Sequence, residues 1–275
     1  MANLMRLIET RKSVRTYSGE PLTPADREKI GEFIKDVPNP FGIPVTFSLL
    51  DPAAHKLSSP VLSGEPLYVA ARVKKGPMAD AAFGYSFERL VLFAWSLGIG
   101  TVWIGGTMKR ADFENALGLA PDEMMPCMSP LGYPARRRSV KEVMMRKGVR
   151  ADDRKPWAAL FFENDPQTPL AKPADPAAAA ALEMVRLAPS AVNKQPWRVI
   201  RKDGAWHFYE KKDGDRYESD AVGDLQKVDL GIALCHFVLG LEDGGKTPAV
   251  TLADPGVATP ADWRYIATVT ANIDE

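Results

Sequence analysis

The sequence predicts an α+β protein in which a sheet with packed helices occurs twice along one chain. Three observations lead to this prediction: two helices that each begin with a capping residue and a proline, a strand after each of them, and a nearly all-apolar helix later in each half. We therefore interpret residues 1–275 as a single unit made of two pseudo-repeats, 1–150 and 151–275. A chance resemblance between two common helix–strand–helix segments is the alternative.

The two cap–proline helices lie near the start of the two pseudo-repeats. Thr23 and Asp175 are favourable capping residues, and the proline after each of them suits the first helical position. Apolar residues then recur at helical spacing, and a further proline ends each helical segment. The predicted helices cover 25–37 and 177–188, and the strands that follow them cover 44–50 and 196–201.

Both halves continue with a strand and a helix that is apolar on nearly every side. Such a helix must be surrounded by protein, so we expect both helices at the centre of the fold. The predicted strands cover 66–74 and 206–212, and the predicted helices cover 81–100 and 224–245. The shared order of these elements is the basis of the predicted internal repeat.

The remaining segments differ between the halves. The further predictions are a strand at 100–106, a helix at 109–117 and a strand at 124–133 in the first half, and strands at 248–255 and 263–273 in the second. Residues 134–157 are strongly charged and long enough to cross the molecule. We interpret 134–157 as an arm that joins the two halves.

The composition is that of a globular protein with no general attraction to polyanions. The 275 residues include 35 basic and 35 acidic side chains, and 45% of the residues are hydrophobic. A net charge of zero argues against nucleic acid or an anionic membrane surface as a partner. The longest apolar stretch, Leu90 to Trp103, is shorter than the ~20 residues that a membrane span requires. The N-terminus also lacks the apolar core of a signal peptide.

Cysteine and histidine usage points to a reducing compartment and to no metal site. Cys127 and Cys235 are the two cysteines, and they form no paired framework, so we expect a cytoplasmic protein. The three histidines have no metal-ligand spacing. Cys127 lies in an apolar, Met-rich run without a hydrolase motif, where a buried and inert thiol is the natural interpretation.

The first segment that is unusual for a bare scaffold follows the first helix. Arg11, Lys12, Ser13 and Arg15 place three cations around a hydroxyl group. Guanidinium groups offer a planar fork of donors that suits a phosphate, and serine adds a short donor. A solvated run of charge near a helix end is the alternative for this segment taken alone.

The second unusual segment precedes a strand of the second half. Between Pro189 and Trp197 it contains a hydroxyl, Ser190, and amide side chains that include Asn193. A rigid loop of this kind is suited to reading the edge of a ligand. A capped turn anchored by a buried tryptophan is the alternative.

Together, the R-x-S-x-R and P-S-x-x-N-x-Q-P-W segments resemble the FMN-dependent nitroreductase family. Trp103-Ile104-Gly105-Gly106 after a glycine-rich helix end, and Gly132-Tyr133-Pro134 before basic residues, are two further similarities. The resemblance covers most of the chain. It implies a nitroreductase-like α/β sandwich, FMN as cofactor and NAD(P)H as transient co-substrate. The implied activity is hydride transfer through the flavin, in ping-pong order, to a small-molecule electron acceptor.

The distribution of the two motifs departs from the family pattern. In ordinary members, R-x-S-x-R of one subunit meets P-S-x-x-N of the other, and the dimer has two identical sites. Here the first half has R-x-S-x-R, but its own loop at 36–44 lacks the Ser, Asn and Gln. The second half has P-S-x-x-N but no R-x-S-x-R ahead of its helix. We infer a fused pseudo-dimer with one intact FMN site and one degenerate site, for which a monomeric state is plausible.

The resemblance also implies roles for individual residues. Arg11 and Ser13, with Lys12, should hold the phosphate, assisted by Arg136 and Arg138. A cation at Arg15 should face N1 and O2 of the flavin, where negative charge gathers on reduction. The remaining candidates are the backbone N–H of Gly105 or Gly106, as a donor to N5, and the contacts from the second half: Pro189, Ser190 and Asn193.

Two other functions remain open at this stage. A flavin-binding sensor or carrier without turnover would result if the first-half loop and a lid at 51–66 covered the flavin. A scaffold whose motifs persist without flavin is the third possibility. The electron acceptor and the choice between NADH and NADPH have no signature in the sequence.

Overall fold

The structure is a computed structural model that describes residues 4–214 and 218–271. The helices are α1 (Leu4–Thr10), α2 (Pro24–Phe33), α3 (Pro52–His55), α4 (Ala79–Ser96), α5 (Arg110–Leu117), α6 (Val140–Gly148), α7 (Pro176–Leu187) and α8 (Leu225–Asp243). The strands are β1 (Val45–Leu50), β2 (Leu67–Lys74), β3 (Glu123–Met124), β4 (Met128–Leu131), β5 (Phe161–Glu163), β6 (Trp197–Lys202), β7 (Ala205–Lys211), β8 (Glu218–Ser219), β9 (Gly223–Asp224), β10 (Pro248–Thr251) and β11 (Trp263–Ala271). The mixture confirms the predicted α+β class.

Each half of the chain contributes one principal sheet. The first sheet has the order β1-β2-β3, with β4 also paired to β2, and the second has the order β10-β11-β7-β6-β5. The strands of both sheets pair antiparallel, except that β5 runs parallel to β6. The first half has the succession α2, β1, α3, β2, α4, and the second has α7, β6, β7, β8, β9, α8.

The two cap–proline helices form as the sequence predicts. Thr23 Oγ1 accepts a hydrogen bond from Asp26 N at 3.1 Å, and the Asp175 carboxylate accepts one from Ala177 N at 3.0 Å. Each cap satisfies a backbone donor that has no partner inside the helix. Helix α2 ends at Phe33, four residues before its predicted end, and a turn completes the segment.

The two apolar helices, α4 and α8, pack against each other at the centre of the molecule. Their crossing is reciprocal: a Cβ on Gly84 would lie 2.0 Å from Val228 O, and a Cβ on Gly231 would lie 2.0 Å from Ala81 O. The glycines therefore let each helix backbone touch the other. Near the start of both helices, Asp224 N donates to Asp80 Oδ1 at 3.1 Å, so the two N-termini lie side by side.

The predicted strand at 100–106 does not form. Three isolated bridges replace it, joining Gly100 to Gly132, Thr101 to Ser13, and Ile104 to Met128. A continuous ladder is absent because consecutive parts of this segment pair with different neighbours.

The other predicted strands change mainly in extent. The strand at 124–133 is divided into β3 and β4, with Pro126, which has no N–H to donate, between them. The strand at 248–255 is limited to β10. The strand at 263–273 is present as β11, and its last two predicted residues lie outside the described part of the chain.

The predicted arm at 134–157 contains a helix, α6, that the prediction missed. The Ser139 hydroxyl caps it by accepting a hydrogen bond from Glu142 N at 3.2 Å. Basic residues Arg146 and Lys147 in the last turn complement the negative end of the helix dipole. The pattern Ser-x-x-Glu at 139–142 is a capping-box signal. We call residues 134–157 the joining segment below.

Candidate functional site

The R-x-S-x-R motif lies in an extended segment directly after α1. Ser13 pairs with Thr101, and Val14 N donates to Thr101 O at 2.9 Å. Val14 is buried, so Ser13 and Arg15 project to the other side, as alternate residues of an extended chain do. The hydroxyl of Thr101 is buried and has no hydrogen-bond partner within the described residues. A polar group of a ligand would satisfy this hydroxyl.

Arg11 and Lys12 differ in their surroundings. Lys12 is exposed, whereas Arg11 is partly buried. Burial lowers the pKa of Arg11; the Glu88 carboxylate opposes this shift, and Arg146 adds to it. A cation at the position of Arg11 is therefore electrostatically costly unless an anion lies nearby.

The G-Y-P segment and the basic residues after it lie beside the same motif. Ser18 N donates to Tyr133 O at 2.9 Å, and Ala135 N donates to Thr16 O at 3.0 Å. Arg136 and Arg138 are both exposed, but Arg138 contacts Glu142, which also binds the backbone of Arg15. The structure thus brings Arg11, Ser13, Arg15 and Arg138 into one region.

Glu142 on α6 connects Arg15 with Arg138. Its carboxylate accepts hydrogen bonds from Arg15 N at 3.2 Å and from the Thr16 hydroxyl at 2.9 Å, and it lies 3.4 Å from Arg138 Nε. Burial lowers the pKa of Arg15, Glu142 raises it, and Arg146 lowers it. Glu142 is only 3% exposed, so these contacts hold α6 firmly against the R-x-S-x-R segment.

The predicted lid at 51–66 also reaches this region. Ser63 N donates to Arg15 O at 3.0 Å, and Tyr17 N donates to Ser63 O at 2.8 Å. The short helix α3 occupies its beginning, capped by Asp51. The segment is therefore a wall beside the motif.

The P-S-x-x-N loop is held by its own hydroxyl and by a carboxylate of α8. Ser190 Oγ accepts a hydrogen bond from Gln195 N at 2.9 Å, and the buried Asp229 accepts one from Ala191 N at 3.0 Å. Burial raises the pKa of Asp229 well above its usual range, and the bond from Ala191 opposes this. Val192 adopts a φ of 44° and is 54% exposed, an unfavourable conformation for a β-branched residue.

The joining segment lies between this loop and the R-x-S-x-R motif. Asn193 Nδ2 donates to Arg150 O at 2.6 Å and to Asp153 O at 3.0 Å. Arg154 donates to Leu187 O at 3.2 Å, two residues before Pro189. Burial lowers the pKa of Arg154, and the nearby Arg11 is the next cause. Residues 138–155 therefore lie between the two motifs and contact both. The side-chain amide of Asn193 already donates hydrogen bonds to backbone carbonyl groups.

The two candidate glycines after Trp103 occupy different surroundings. A Cβ on Gly105 would lie 3.2 Å from Cys127 Sγ, and Gly105 O accepts a hydrogen bond from Arg110 at 2.7 Å. Gly106 is exposed, with open space where a Cβ would be. A ligand can approach the backbone most closely at Gly106. Cys127 is buried as expected, although between strands, and burial raises the pKa of its thiol to about 12.

A buried group that the sequence analysis missed connects both central helices to this region. Glu88 on α4 accepts a hydrogen bond from Trp103 Nε1 at 3.0 Å, and its other oxygen lies 3.0 Å from His236 Nε2 on α8. Glu88 and His236 are both fully buried. The available signal was a glutamate and a histidine within otherwise apolar helices, because a buried charge needs a partner.

A pocket of about 560 Å³ opens along the joining segment, lined by Arg138, Val143, Arg146, Lys147, Arg150, Ala151, Asp152 and Asp153. Arg138 is the predicted site residue among them. The described residues contain no group of three histidine, cysteine or acidic side chains placed to hold a metal ion. None of the described helices is long and apolar enough to cross a membrane.

Two solved structures are similar to this chain to different extents. A Thermotoga maritima protein described as a putative nitroreductase matches with a TM-score of 0.61 at 23% identity, over 97% of this chain and 93% of that one. An FMN-dependent nitroreductase from Clostridium difficile R20291 matches with a TM-score of 0.41 at 16% identity, over 51% of this chain and 94% of that one. The first match shows a nitroreductase fold, as the resemblance implied.

The sequence itself supplies the family. The model of the family described as "Putative TM nitroreductase" matches residues 3–241. The chain belongs to this nitroreductase family, and its class of activity is that of an oxidoreductase. No curated protein matches the chain.

Proposed function

We propose that the protein is an FMN-dependent NAD(P)H oxidoreductase of nitroreductase type. The observation that carries the proposal is the proximity of R-x-S-x-R at 11–15 to P-S-x-x-N at 189–193, two motifs that come from different halves and meet at the joining segment. The unpaired hydroxyl of Thr101, the partly buried Arg11 and the open backbone at Gly106 are compatible with a phosphorylated, planar ligand.

In this proposal each candidate residue has a binding task. Arg11 and Ser13 hold the phosphate, with Arg138 alongside and with Lys12 and Arg136 adding positive charge from the surface. Arg15 provides a fixed cation toward the pyrimidine end of the ring. The backbone N–H of Gly105 or Gly106 donates to N5, and Pro189, Ser190 and Asn193 bound the ring from the second half. FMN, when bound, would accept a hydride from NAD(P)H and pass electrons to a small acceptor.

We further propose that the chain is a fused pseudo-dimer of repeats 1–150 and 151–275 with a single FMN site, monomeric and cytoplasmic. The reciprocal contacts of Gly84 and Gly231 support this, because two-fold-related helices exchange equivalent contacts. A titration of the purified chain with FMN should saturate at one flavin per chain. Saturation at two would contradict the degenerate second site.

The visible spectrum of the pure protein tests the function directly. After reconstitution with FMN, the protein should show a bound-flavin spectrum that bleaches rapidly on anaerobic mixing with NADH or NADPH. A protein that stays colourless and binds no FMN would refute the proposal. A bound flavin that neither NADH nor NADPH reduces would indicate the second candidate, a flavin sensor or carrier, which the wall at 51–66 beside Arg15 favours.

A further inference from the structure

The inner face of α6 carries a second polar residue besides Glu142. Arg146 follows Glu142 by four residues, so both side chains lie on one face of the helix, one turn apart. Because Glu142 contacts the backbone of Arg15, Arg146 lies along the R-x-S-x-R segment. The Arg146 side chain is 13% exposed and forms an ion pair with Asp152, whose side chain is 83% exposed.

Arg146 is part of a cluster of four guanidinium groups from three segments of the chain. It is a cause of the lowered pKa of Arg11, of Arg15 and of Arg154, after burial in each case. The joining segment thus contributes two arginines opposite the two of the R-x-S-x-R motif. Like charges repel, and an anion between them removes the repulsion.

The carboxylates near the cluster do not neutralise it. Glu142 contacts Arg138 Nε and the main-chain N–H of Arg15, Asp152 pairs with Arg146 but lies mostly in solvent, and Glu88 is bound to His236 and Trp103. Arg154 Nε in the cluster is buried and has no hydrogen-bond partner within the described residues, and neither has the buried hydroxyl of Thr101, whose backbone pairs with that of Ser13. Unsatisfied buried donors beside an excess of cations are the properties of an anion site that awaits its ligand.

The pocket along the joining segment gives an anion access to this place. Its wall includes Arg138 and Arg146, together with Lys147 and Arg150. An oxyanion entering there meets cations on the pocket wall first and the buried cluster beyond Arg146. A phosphate monoester fits these donors, because guanidinium forks match its oxygen atoms in pairs.

We propose that Arg146, supported by Arg154, binds the flavin's phosphate from the joining segment, so that the phosphate is clamped between this segment and Arg11. This inference rests on the proposed FMN function. It adds Arg146 and Arg154 to Arg136 and Arg138 as residues of the joining segment that belong to the cofactor site. Recognition of flavin then depends strongly on the phosphate, and FMN should bind far more tightly than riboflavin.

The experiment measures dissociation constants of FMN and riboflavin for the wild type, Arg146→Met and Arg201→Met. Arg201 on β6 is the matched control, since its side chain is 45% exposed, pairs with Glu163 and lies outside the pocket. Loss of a charged hydrogen bond predicts an FMN affinity at least ~10-fold weaker in Arg146→Met, with riboflavin affinity unchanged. Arg201→Met should behave as the wild type. An unchanged preference for FMN over riboflavin in Arg146→Met would overturn the inference, as would equal weakening of both flavins.

A second readout separates this inference from the proposed function. Inorganic phosphate should raise the melting temperature of the flavin-free wild type and of Arg201→Met, and the shift should be reduced in Arg146→Met. If the wild type bound neither flavin, the proposed function would be refuted. The change in melting temperature caused by phosphate would then still test whether Arg146 belongs to an anion site. Equal phosphate-induced shifts of the melting temperature in all three proteins would overturn the assignment of Arg146 to this anion site. If Arg146→Met fails to fold, Arg146→Lys replaces it, with a smaller preference for FMN expected because lysine keeps the charge and loses the fork.

Discussion

Glu88 Oε1 and His236 Nε2 lie 3.0 Å apart between the two central helices, each fully buried. His236 Nδ1 lies 2.9 Å from Met184 O, which can only accept, so Nδ1 carries a hydrogen. Glu88 Oε2 already accepts a hydrogen bond from the indole N–H of Trp103. A single proton must therefore lie between the carboxylate and the imidazole.

This pair predicts different outcomes for two substitutions of Glu88. Glu88→Gln can donate its amide to a neutral His236 and still accept from Trp103, so we expect a loss of less than about 1 kcal/mol in unfolding free energy. Glu88→Leu leaves both partners unsatisfied in the interior and should cost about 3 kcal/mol or more. Urea unfolding of the flavin-free protein measures both. Equal losses would show that the hydrogen bonds contribute little.

The helix crossing gives a second prediction. Gly84→Ala and Gly231→Ala would each place a methyl group 2.0 Å from a main-chain oxygen, and rigid backbone cannot yield cheaply. We expect each to lower the free energy of unfolding by about 2–3 kcal/mol, since overpacking typically costs ~1–3. Gly31→Ala is the control, because a Cβ there meets no atom within 4 Å inside α2. It should be neutral or stabilising by up to about 1 kcal/mol.

A third prediction concerns Arg15 and Ser13 in flavin reduction. Arg15→Ala should slow reduction of bound FMN by NAD(P)H more than Ser13→Ala, because only Arg15 is assigned to the ring, where charge develops. Ser13→Ala should act mainly on FMN affinity. Stopped-flow reduction at saturating FMN separates rate from binding. Equal effects of the two variants on the rate would refute the assignment of Arg15.

A fourth prediction concerns pH and the buried Glu210 on β7. Burial first, and then Asp224, raise the pKa of this carboxyl to about 7. Its oxygens have no hydrogen-bond partner within the described residues, which suits a protonated acid. The folded protein then holds a proton that the unfolded chain releases above pH ~4.5. Stability should therefore fall as pH rises from about 4.5 to about 7.

Glu210→Gln tests this dependence by removing the titrating group. At pH 8 the variant should unfold at a higher urea concentration than the wild type. Its unfolding free energy should also decrease less steeply with pH, with a difference of at most ~1.4 kcal/mol per pH unit. Glu9→Gln, at an exposed position near the end of α1, is the control. Parallel pH profiles of the wild type and Glu210→Gln would contradict the prediction. Asp80, whose pKa burial raises to about 6, and the buried Asp229, whose pKa burial also raises, keep part of the slope in both proteins.

Elements specified by short-range signals were predictable from the sequence. The cap–proline pairs at Thr23 and Asp175 fixed the starts of α2 and α7, and all-round apolarity identified α4 and α8. Helix α6 was missed although Ser139 and Glu142 form a capping box, because the charge of its surroundings suggested an arm without regular structure.

The remaining features depend on contacts between distant residues. The conformation of residues 100–106 depends on backbone pairing with Ser13, Met128 and Gly132, which are distant in the sequence. Glu88 likewise contacts His236, which lies 148 positions further along the chain. The sequence named Arg11, Ser13, Arg15 and Arg138 as neighbours, which the structure brings together. It could not show that Arg146 lies with them, since that depends on how α6 packs against Arg15.

The crossing of α4 and α8 within one chain also affects how the protein responds to dilution. A site shared by two separate subunits falls apart when the subunits dissociate at low concentration. Here the covalent joining segment keeps both halves at a high effective concentration whatever the amount of protein. In the proposed pseudo-dimer, the halves would also be released from identical sequences, so that one copy of a motif could be lost while its counterpart is retained.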